Sequence, residues 1–170
     1  MSQELVTYIV LGSESRLKNI KVPSNTKYEE YLVSNFSTET SYHHQLDELV
    51  TQSKGEVVVF LPPSSFPNTE ARDALKKIAL IGLSSWGWFE YSLKRKNIVQ
   101  NLKRVSTLVR SIPDIEQGIF FTKRLYFSIG GSGSFTSETF SEISKRLYSR
   151  IDPQKPLPAL IIRTKNLKLT

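Results

Sequence analysis

The segment Gly118 to Ile129, GIFFTKRLYFSI, constrains the fold most, because it predicts a long and largely buried strand. Successive side chains of a strand point to opposite faces, so apolar residues at every second position would lie on one face of a sheet. Apart from Lys123, the odd-numbered positions follow this pattern: they are Ile119, Phe121, Leu125, Phe127 and Ile129. A chain with such a strand must build a sheet and cover at least that face.

Shorter apolar segments surround this strand. Residues 5–11 and 17–22 predict an opening hairpin, EVVVFL at 56–61 predicts a buried strand, and 86–93 favours a strand over a helix broken at Gly87. Helices are predicted up to Phe36, over 41–52, after the N-cap Asn68, and over 97–110 and 137–150, before a closing strand at 159–163. This order predicts an α+β fold: a mixed, largely antiparallel sheet with helices packed on one face.

Composition and length indicate the setting. The chain has 170 residues, of which 39% are hydrophobic, so we expect residues 1–170 to form a single globular domain. Because Cys is absent from the sequence, disulfides, thiolate metal sites and Cys nucleophiles are excluded, and a reducing compartment is favoured. The N-terminus lacks a basic region, and the most apolar stretch, 78–89, is shorter than a membrane-spanning helix. We therefore expect a cytoplasmic protein.

Charge is distributed unevenly along the chain. Residues 1–85 contain 8 Lys and Arg against 10 Asp and Glu, whereas residues 86–170 contain 15 against 6. A concentrated positive field attracts extended anionic partners, of which nucleic acid and anionic lipid surfaces are the common ones. The second half therefore predicts a partner of this kind.

The basic residues cluster around one predicted helix. Between Tyr91 and Pro113 there are six basic residues and no acidic one, and Lys96, Lys103 and Arg110 recur every seven positions. We expect the apolar stripe of this helix to pack on the core and its basic stripe to face an anionic surface; the alternative is that the basic residues form an ordinary solvated face. The predicted anionic-surface residues, including two on the long strand, are Lys94, Arg95, Lys96, Lys103, Arg104, Arg110, Lys123 and Arg124.

Four aromatic residues precede that helix: Trp86, Trp88, Phe89 and Tyr91. Trp86, Trp88 and Tyr91 would suit a lipid headgroup region, or they could stack on unpaired RNA bases; the alternative is that they belong to the core. The proline loop after the strand at 56–61 offers Phe66 as an apolar contact for self-association, unless that side chain packs inward.

Motifs that would indicate a reaction are missing from the sequence. The glycine- and serine-rich segment 130–134 lies between a strand and a helix, as phosphate loops do, but it lacks the Lys of a Walker A motif and predicts a flexible connection. His43 and His44 have no evident third metal ligand. We therefore predict no catalytic residues, no bound metal and no cofactor.

The second half of the chain resembles the matrix proteins of rhabdoviruses in its organisation. The resemblance covers the strand GIFFTKRLYFSI, a loop, the helix SETFSEISKRLYSR and the closing strand ALIIRT, preceded by basic segments. It implies a non-enzymatic virion structural protein of the host cytoplasm that binds the inner face of a membrane, binds a nucleocapsid or RNA, and forms homo-oligomers. Such proteins often carry a Pro-Pro-x-Tyr motif, whereas this chain has only PPSS at 62–65. The alternative is a nonspecific RNA-binding protein without a membrane role.

Overall fold

A sheet of five strands lies at the centre of the structure, a computed structural model that describes residues 5–36, 42–91, 98–135, 139–163 and 167–169. The spatial order of its strands is β2, β1, β3, β6 and β5. They are β1 (Val6–Gly12), β2 (Glu29–Asn35), β3 (Val57–Leu61), β5 (Trp86–Trp88) and β6 (Ile119–Thr122), while β4 (Ser65–Phe66) and β7 (Ile161–Ile162) form a separate antiparallel pair.

The sheet is mixed, as predicted, but it is not largely antiparallel. β1 pairs in parallel with β2 and β3, whereas β6 pairs antiparallel with β3 and β5. Four strands therefore run in one direction and β6 runs against them. Parallel neighbours require crossover connections, and helices between the strands provide them here. We call the edge at which β1, β2, β3 and β5 end the carboxyl edge, and the opposite edge the amino edge.

Helices cover both faces of the sheet, not one face as the sequence predicted. Alternation along β1 turns Ile9 and Leu11 towards Leu46 on one face, and Tyr8 and Val10 towards Leu75 on the other. Both faces of the central strands are therefore buried. The helices are α1 (Glu14–Leu17), α2 (Tyr42–Gln52), α3 (Thr69–Ile81), α4 (Ile98–Arg110), α5 (Lys123–Ser128) and α6 (Ser141–Tyr148).

The long strand predicted at 118–129 is half strand and half helix. β6 ends at Thr122, opposite Val57 at the start of β3, and one further backbone hydrogen bond runs from the Lys123 N–H to the Glu56 carbonyl at 2.9 Å. The chain then turns into α5, in which the consecutive residues Leu125 and Tyr126 are both buried while Phe127 is 50% exposed. The alternating pattern was therefore accidental beyond Thr122.

The segment before Phe36 is another correction. The sequence favoured a hairpin followed by a helix there, whereas α1 leads to β2, which pairs with β1 along seven residues. Sheet pairing overrides local helix propensity in this segment. The predictions for α2, β3 and α3 are confirmed; Asn68 caps α3, its side-chain oxygen accepting a hydrogen bond from the Ala71 N–H at 2.8 Å.

Candidate functional site

Helix α4 presents its apolar side to solvent. The helix is confirmed over Ile98–Arg110, yet its apolar residues do not pack on the core as expected. The exposed fractions are 78% for Ile98, 66% for Leu102, 58% for Val105 and 79% for Val109. These residues follow a 4-3-4 spacing and therefore lie on one side of the helix. We call these four residues the α4 apolar face.

The opposite side of α4 contacts the protein through polar groups. Thr107 is the only buried side chain among residues 98 and 101–110, and its hydroxyl shares its one hydrogen between two acceptors, Gln117 Oε1 at 3.1 Å and the Lys103 carbonyl at 2.9 Å. Two ion pairs flank it: Lys103 Nζ lies 3.4 Å from Asp114 Oδ2, and Arg104 Nη2 lies 3.7 Å from Glu90 Oε1. At 100° per residue, Thr107 lies opposite the α4 apolar face. The helix therefore rests on its polar side.

The groups that receive α4 lie at the carboxyl edge. Gln117 Nε2 donates to the Phe89 carbonyl at 3.2 Å, just beyond the end of β5. The Tyr91 hydroxyl donates to Asp114 Oδ2 at 2.5 Å. Burial raises the pKa of Tyr91, and the hydrogen bond to the Asp114 carboxylate raises it further, so Tyr91 remains a donor at neutral pH. Asp114 is thus held by the body of the protein as well as by Lys103.

The structure divides the predicted basic surface between two edges. Lys103, Arg104 and Arg110 accompany α4 at the carboxyl edge. Lys123 and Arg124 follow the end of β6 and lie at the amino edge, about 13 Å away along the four residues of that strand. Lys123 Nζ donates to the Ser53 carbonyl at 2.7 Å, beyond the end of α2. Lys94, Arg95 and Lys96 lie outside the described residues.

The aromatic residues predicted to contact lipid or bases belong to the core. Trp86 and Trp88 are 0% and 3% exposed, and Tyr91 is 7% exposed. The Trp86 indole N–H donates to the Ile151 carbonyl at 2.8 Å, which satisfies its polar group internally. The alternative interpretation, that these side chains are structural, is therefore the one that the fold supports.

Phe66 is also turned inward. It packs edge-on against Tyr31, with ring centroids 6.3 Å apart, and the Arg163 guanidinium lies 5.3 Å from the centre of its ring. Only 8% of its surface is exposed. The structure therefore supports the inward packing that was the alternative for Phe66, and this side chain offers no exposed apolar contact.

The Gly-Ser segment binds an anionic group of the protein itself. Asp47 Oδ1 accepts hydrogen bonds from the Ser132 N–H at 3.1 Å and the Ser132 hydroxyl at 3.3 Å, and the Tyr126 hydroxyl donates to the same oxygen. Gly131 has φ +87°, and a Cβ atom there would come within 2.6 Å of Asp47. The segment thus forms a turn around Asp47, to which Ser132 is hydrogen-bonded.

A second exposed apolar group lies at the amino edge. Leu80, Ile81 and Leu83 are 72%, 66% and 68% exposed at the turn between α3 and β5. Gly82 ends α3 there with φ +69°. This group matches the α4 apolar face in exposure but lies on the opposite side of the molecule, so it provides an internal control for experiments on α4.

Other kinds of site are not indicated within the described ranges. In them, no three His, Cys, Asp or Glu residues are grouped so that they could hold a metal ion. Nor is any described helix both long and apolar enough to cross a bilayer. No protein-family model matches the chain, and no similar curated protein was found.

Proposed function

We propose that this protein attaches peripherally to anionic membranes through α4. The observation that carries the proposal is the orientation of that helix, whose apolar face lies in water while its polar face contacts the protein. A surface helix in a globular protein ordinarily does the reverse. An apolar face that the fold does not cover suggests an external apolar phase or partner.

The charges on α4 favour a membrane as that phase. Lys103 and Arg104 lie on opposite sides of the helix, between its apolar face and Thr107, and Arg110 lies on the same side as Lys103. A helix lying in the plane of a bilayer places apolar side chains among the acyl chains and flanking basic side chains at the headgroups. Both basic residues of the ion pairs are about half exposed, at 51% and 46%, so their ammonium and guanidinium groups can reach phosphates.

Magnitudes assign most of the affinity to the apolar face. Complete burial of a Val, Leu or Ile side chain contributes about 1.5–3 kcal/mol, and each basic residue near an anionic surface contributes about 1 kcal/mol. Four apolar residues, even partly inserted, therefore outweigh three basic ones. Charge would bring the protein to anionic membranes, and apolar contact would keep it there.

The broader role follows the family resemblance. We propose a non-enzymatic, matrix-like structural protein that acts at the cytoplasmic face of a membrane. Its binding to a nucleocapsid or RNA, and its assembly into homo-oligomers, stay predictions. Membrane attachment through α4 would leave the amino edge, with Arg124 and Lys123, facing away from the bilayer and towards a second partner.

Vesicle flotation of matched variants tests the membrane proposal. The α4 variant combines Leu102→Gln, Val105→Gln and Val109→Gln; its control combines Leu80→Gln, Ile81→Gln and Leu83→Gln. Both remove three exposed apolar side chains without changing net charge. We expect the α4 variant to stay unbound to vesicles that contain phosphatidylserine, while the control floats like the wild type.

Three outcomes would contradict the proposal. Equal loss of flotation in both variants would mean that general surface hydrophobicity causes binding. Unchanged flotation of the α4 variant would mean that α4 is not the contact. Binding to single-stranded RNA by a protein that ignores vesicles would favour the alternative, a nonspecific RNA-binding protein that uses its basic residues alone.

A further inference from the structure

We infer that α4 is latched to the carboxyl edge by its polar face, and that anionic headgroups release the latch by competing for Lys103 and Arg104. The latch comprises the Lys103–Asp114 and Arg104–Glu90 ion pairs and the hydrogen bond from Thr107 to Gln117. This inference rests on the proposed membrane attachment, because it describes how the same helix is held in water and freed at the bilayer.

The attachment of α4 is of a kind that a charged surface can reverse. All three contacts are polar, and the two ion pairs are partly exposed on both sides, with 23% and 39% exposure for Asp114 and Glu90. Exposed ion pairs are weak and are screened by salt. A surface dense in lipid phosphates supplies alternative acceptors for both cations at once.

Release would not leave a buried charge without a partner. Asp114 keeps the hydrogen bond from the Tyr91 hydroxyl at 2.5 Å when Lys103 leaves. Glu90 is sufficiently exposed to be hydrated when Arg104 leaves. Since a stranded buried carboxylate is what usually makes ion-pair opening costly, its absence makes this opening easy.

The backbone after α4 contains a suitable hinge. Ser111 has φ +54°, in the left-handed region that non-glycine residues rarely adopt, and its N–H donates to the Thr107 carbonyl at 2.8 Å. Pro113 follows two residues later and precedes Asp114. The helix thus ends close to the ion pair between Lys103 and Asp114. A rotation of the backbone near Ser111 would therefore move α4 while Asp114 keeps its place beside Tyr91.

Hydrogen exchange tests the latch in water, and the chain offers a matched control. Asp114→Asn and Glu90→Gln each remove one latch carboxylate; Glu116→Gln makes the same change in net charge at an exposed neighbour. We expect the protection of α4 amides to fall about two- to fivefold in both latch variants, as the loss of a weak ion pair implies, and to stay unchanged in the control. Amides of α3 should keep their protection in all three.

Vesicle affinity tests release at the membrane. The latch variants should bind phosphatidylserine vesicles about two- to fivefold more tightly than the Glu116→Gln protein, which carries the same net charge. Equal affinity of all three variants, or unaltered α4 protection in both latch variants, would overturn the latch while leaving membrane attachment intact. Failure of the wild type to bind vesicles at all would instead overturn the proposed function, and the release mechanism with it.

Discussion

Helices α3 and α4 are both 13 residues long and both amphipathic, yet they are docked in opposite ways. α3 buries Ala71, Leu75 and Ala79 against the sheet. α4 turns its apolar face to solvent and contacts the protein through Thr107 and its charged neighbours. The hydrophobic periodicity of the sequence therefore identified both helices. It did not determine whether the apolar stripe of each helix would pack on the core or face solvent.

The difference comes from what lies opposite each helix. α3 crosses a sheet face made of Tyr8, Val10, Val57 and Val59, which accepts an apolar stripe. α4 meets the carboxyl edge of the sheet, where the buried side chain of Gln117 and the partly exposed carboxylates of Glu90 and Asp114 present polar groups. A polar edge can bind only the polar side of an amphipathic helix, so the apolar side remains outside.

Charge also supports the two helices differently. Glu29, which is 1% exposed, is bound by Arg72 and lies 3.4 Å from Lys76, both on α3. Burial raises the pKa of Glu29, but hydrogen bonds and positive charge from Arg72 and Lys76 outweigh that effect and lower it overall. The ion pairs of α4 are partly exposed instead, so solvent weakens them.

The largest contrast should appear in stability. Leu75→Ala should lower the free energy of unfolding by about 2–5 kcal/mol, because it opens a cavity between α3 and the sheet. Leu102→Ala on α4 should change it by less than about 0.5 kcal/mol, since that side chain is already in water. Urea denaturation of both proteins measures the difference; comparable losses would mean that the α4 apolar face is buried in solution.

The next effect concerns Glu29. Glu29→Gln should destabilise the protein by about 2 kcal/mol at pH 7, less than a fully buried pair would, because Arg72 and Lys76 remain partly hydrated. The folded pKa lies below the ordinary value of 4.5, so this contribution is present above that value and disappears as the pH falls through the folded pKa. Denaturation from pH 7 to pH 3 should show the two proteins converging in acid. A difference that does not depend on pH would refute the ion-pair explanation.

A smaller effect distinguishes the two edges. Arg110→Gln should weaken binding to phosphatidylserine vesicles about fivefold at low salt, whereas Arg124→Gln should leave it unchanged. Both residues belonged to the basic surface predicted from the sequence, and both changes remove one positive charge. Equal weakening would show that net charge, rather than the position of α4, determines binding.

The last prediction is that tryptophan fluorescence does not change. The intrinsic fluorescence of Trp86 and Trp88 should not shift when vesicles or single-stranded RNA are added, because both indoles are buried. Emission spectra of the wild type with each addition measure this. A blue shift with vesicles would show that the aromatic residues reach lipid after all.

The elements that sequence predicted correctly are those whose local signal agrees with their tertiary surroundings. β3 is a continuous apolar run buried on both faces, and α3 has the favourable N-cap Asn68. The predictions for β2 and α5 were wrong because tertiary pairing decides these segments: β1 pairs with β2 along seven residues, whereas the ladder between β3 and β6 stops at Val57 and Thr122. No local pattern encodes either fact.

The candidate site, like the fold, was predicted only where the local sequence determines the structure. Sequence identified α4 and its basic residues, but the direction of the helix depends on the polar carboxyl edge, which Glu90, Asp114 and Gln117 form only after folding. The separation of Arg124 from Arg110 likewise follows from the direction of β6. One part of the site was indicated by the sequence: a place in the core was the alternative to contact with lipid or RNA bases for Trp86 and Trp88.

Site-specific labelling tests the central claim most directly, since the chain has no native Cys to interfere. A polarity-sensitive dye would be attached to Val109→Cys on α4 and, in a second protein, to Leu80→Cys at the end of α3; these positions are 79% and 72% exposed. On addition of phosphatidylserine vesicles, the dye at position 109 should shift to the blue and become protected from an aqueous quencher, while the dye at position 80 should do neither. A shift at position 80 alone, or equal shifts at both positions, would contradict membrane attachment through α4.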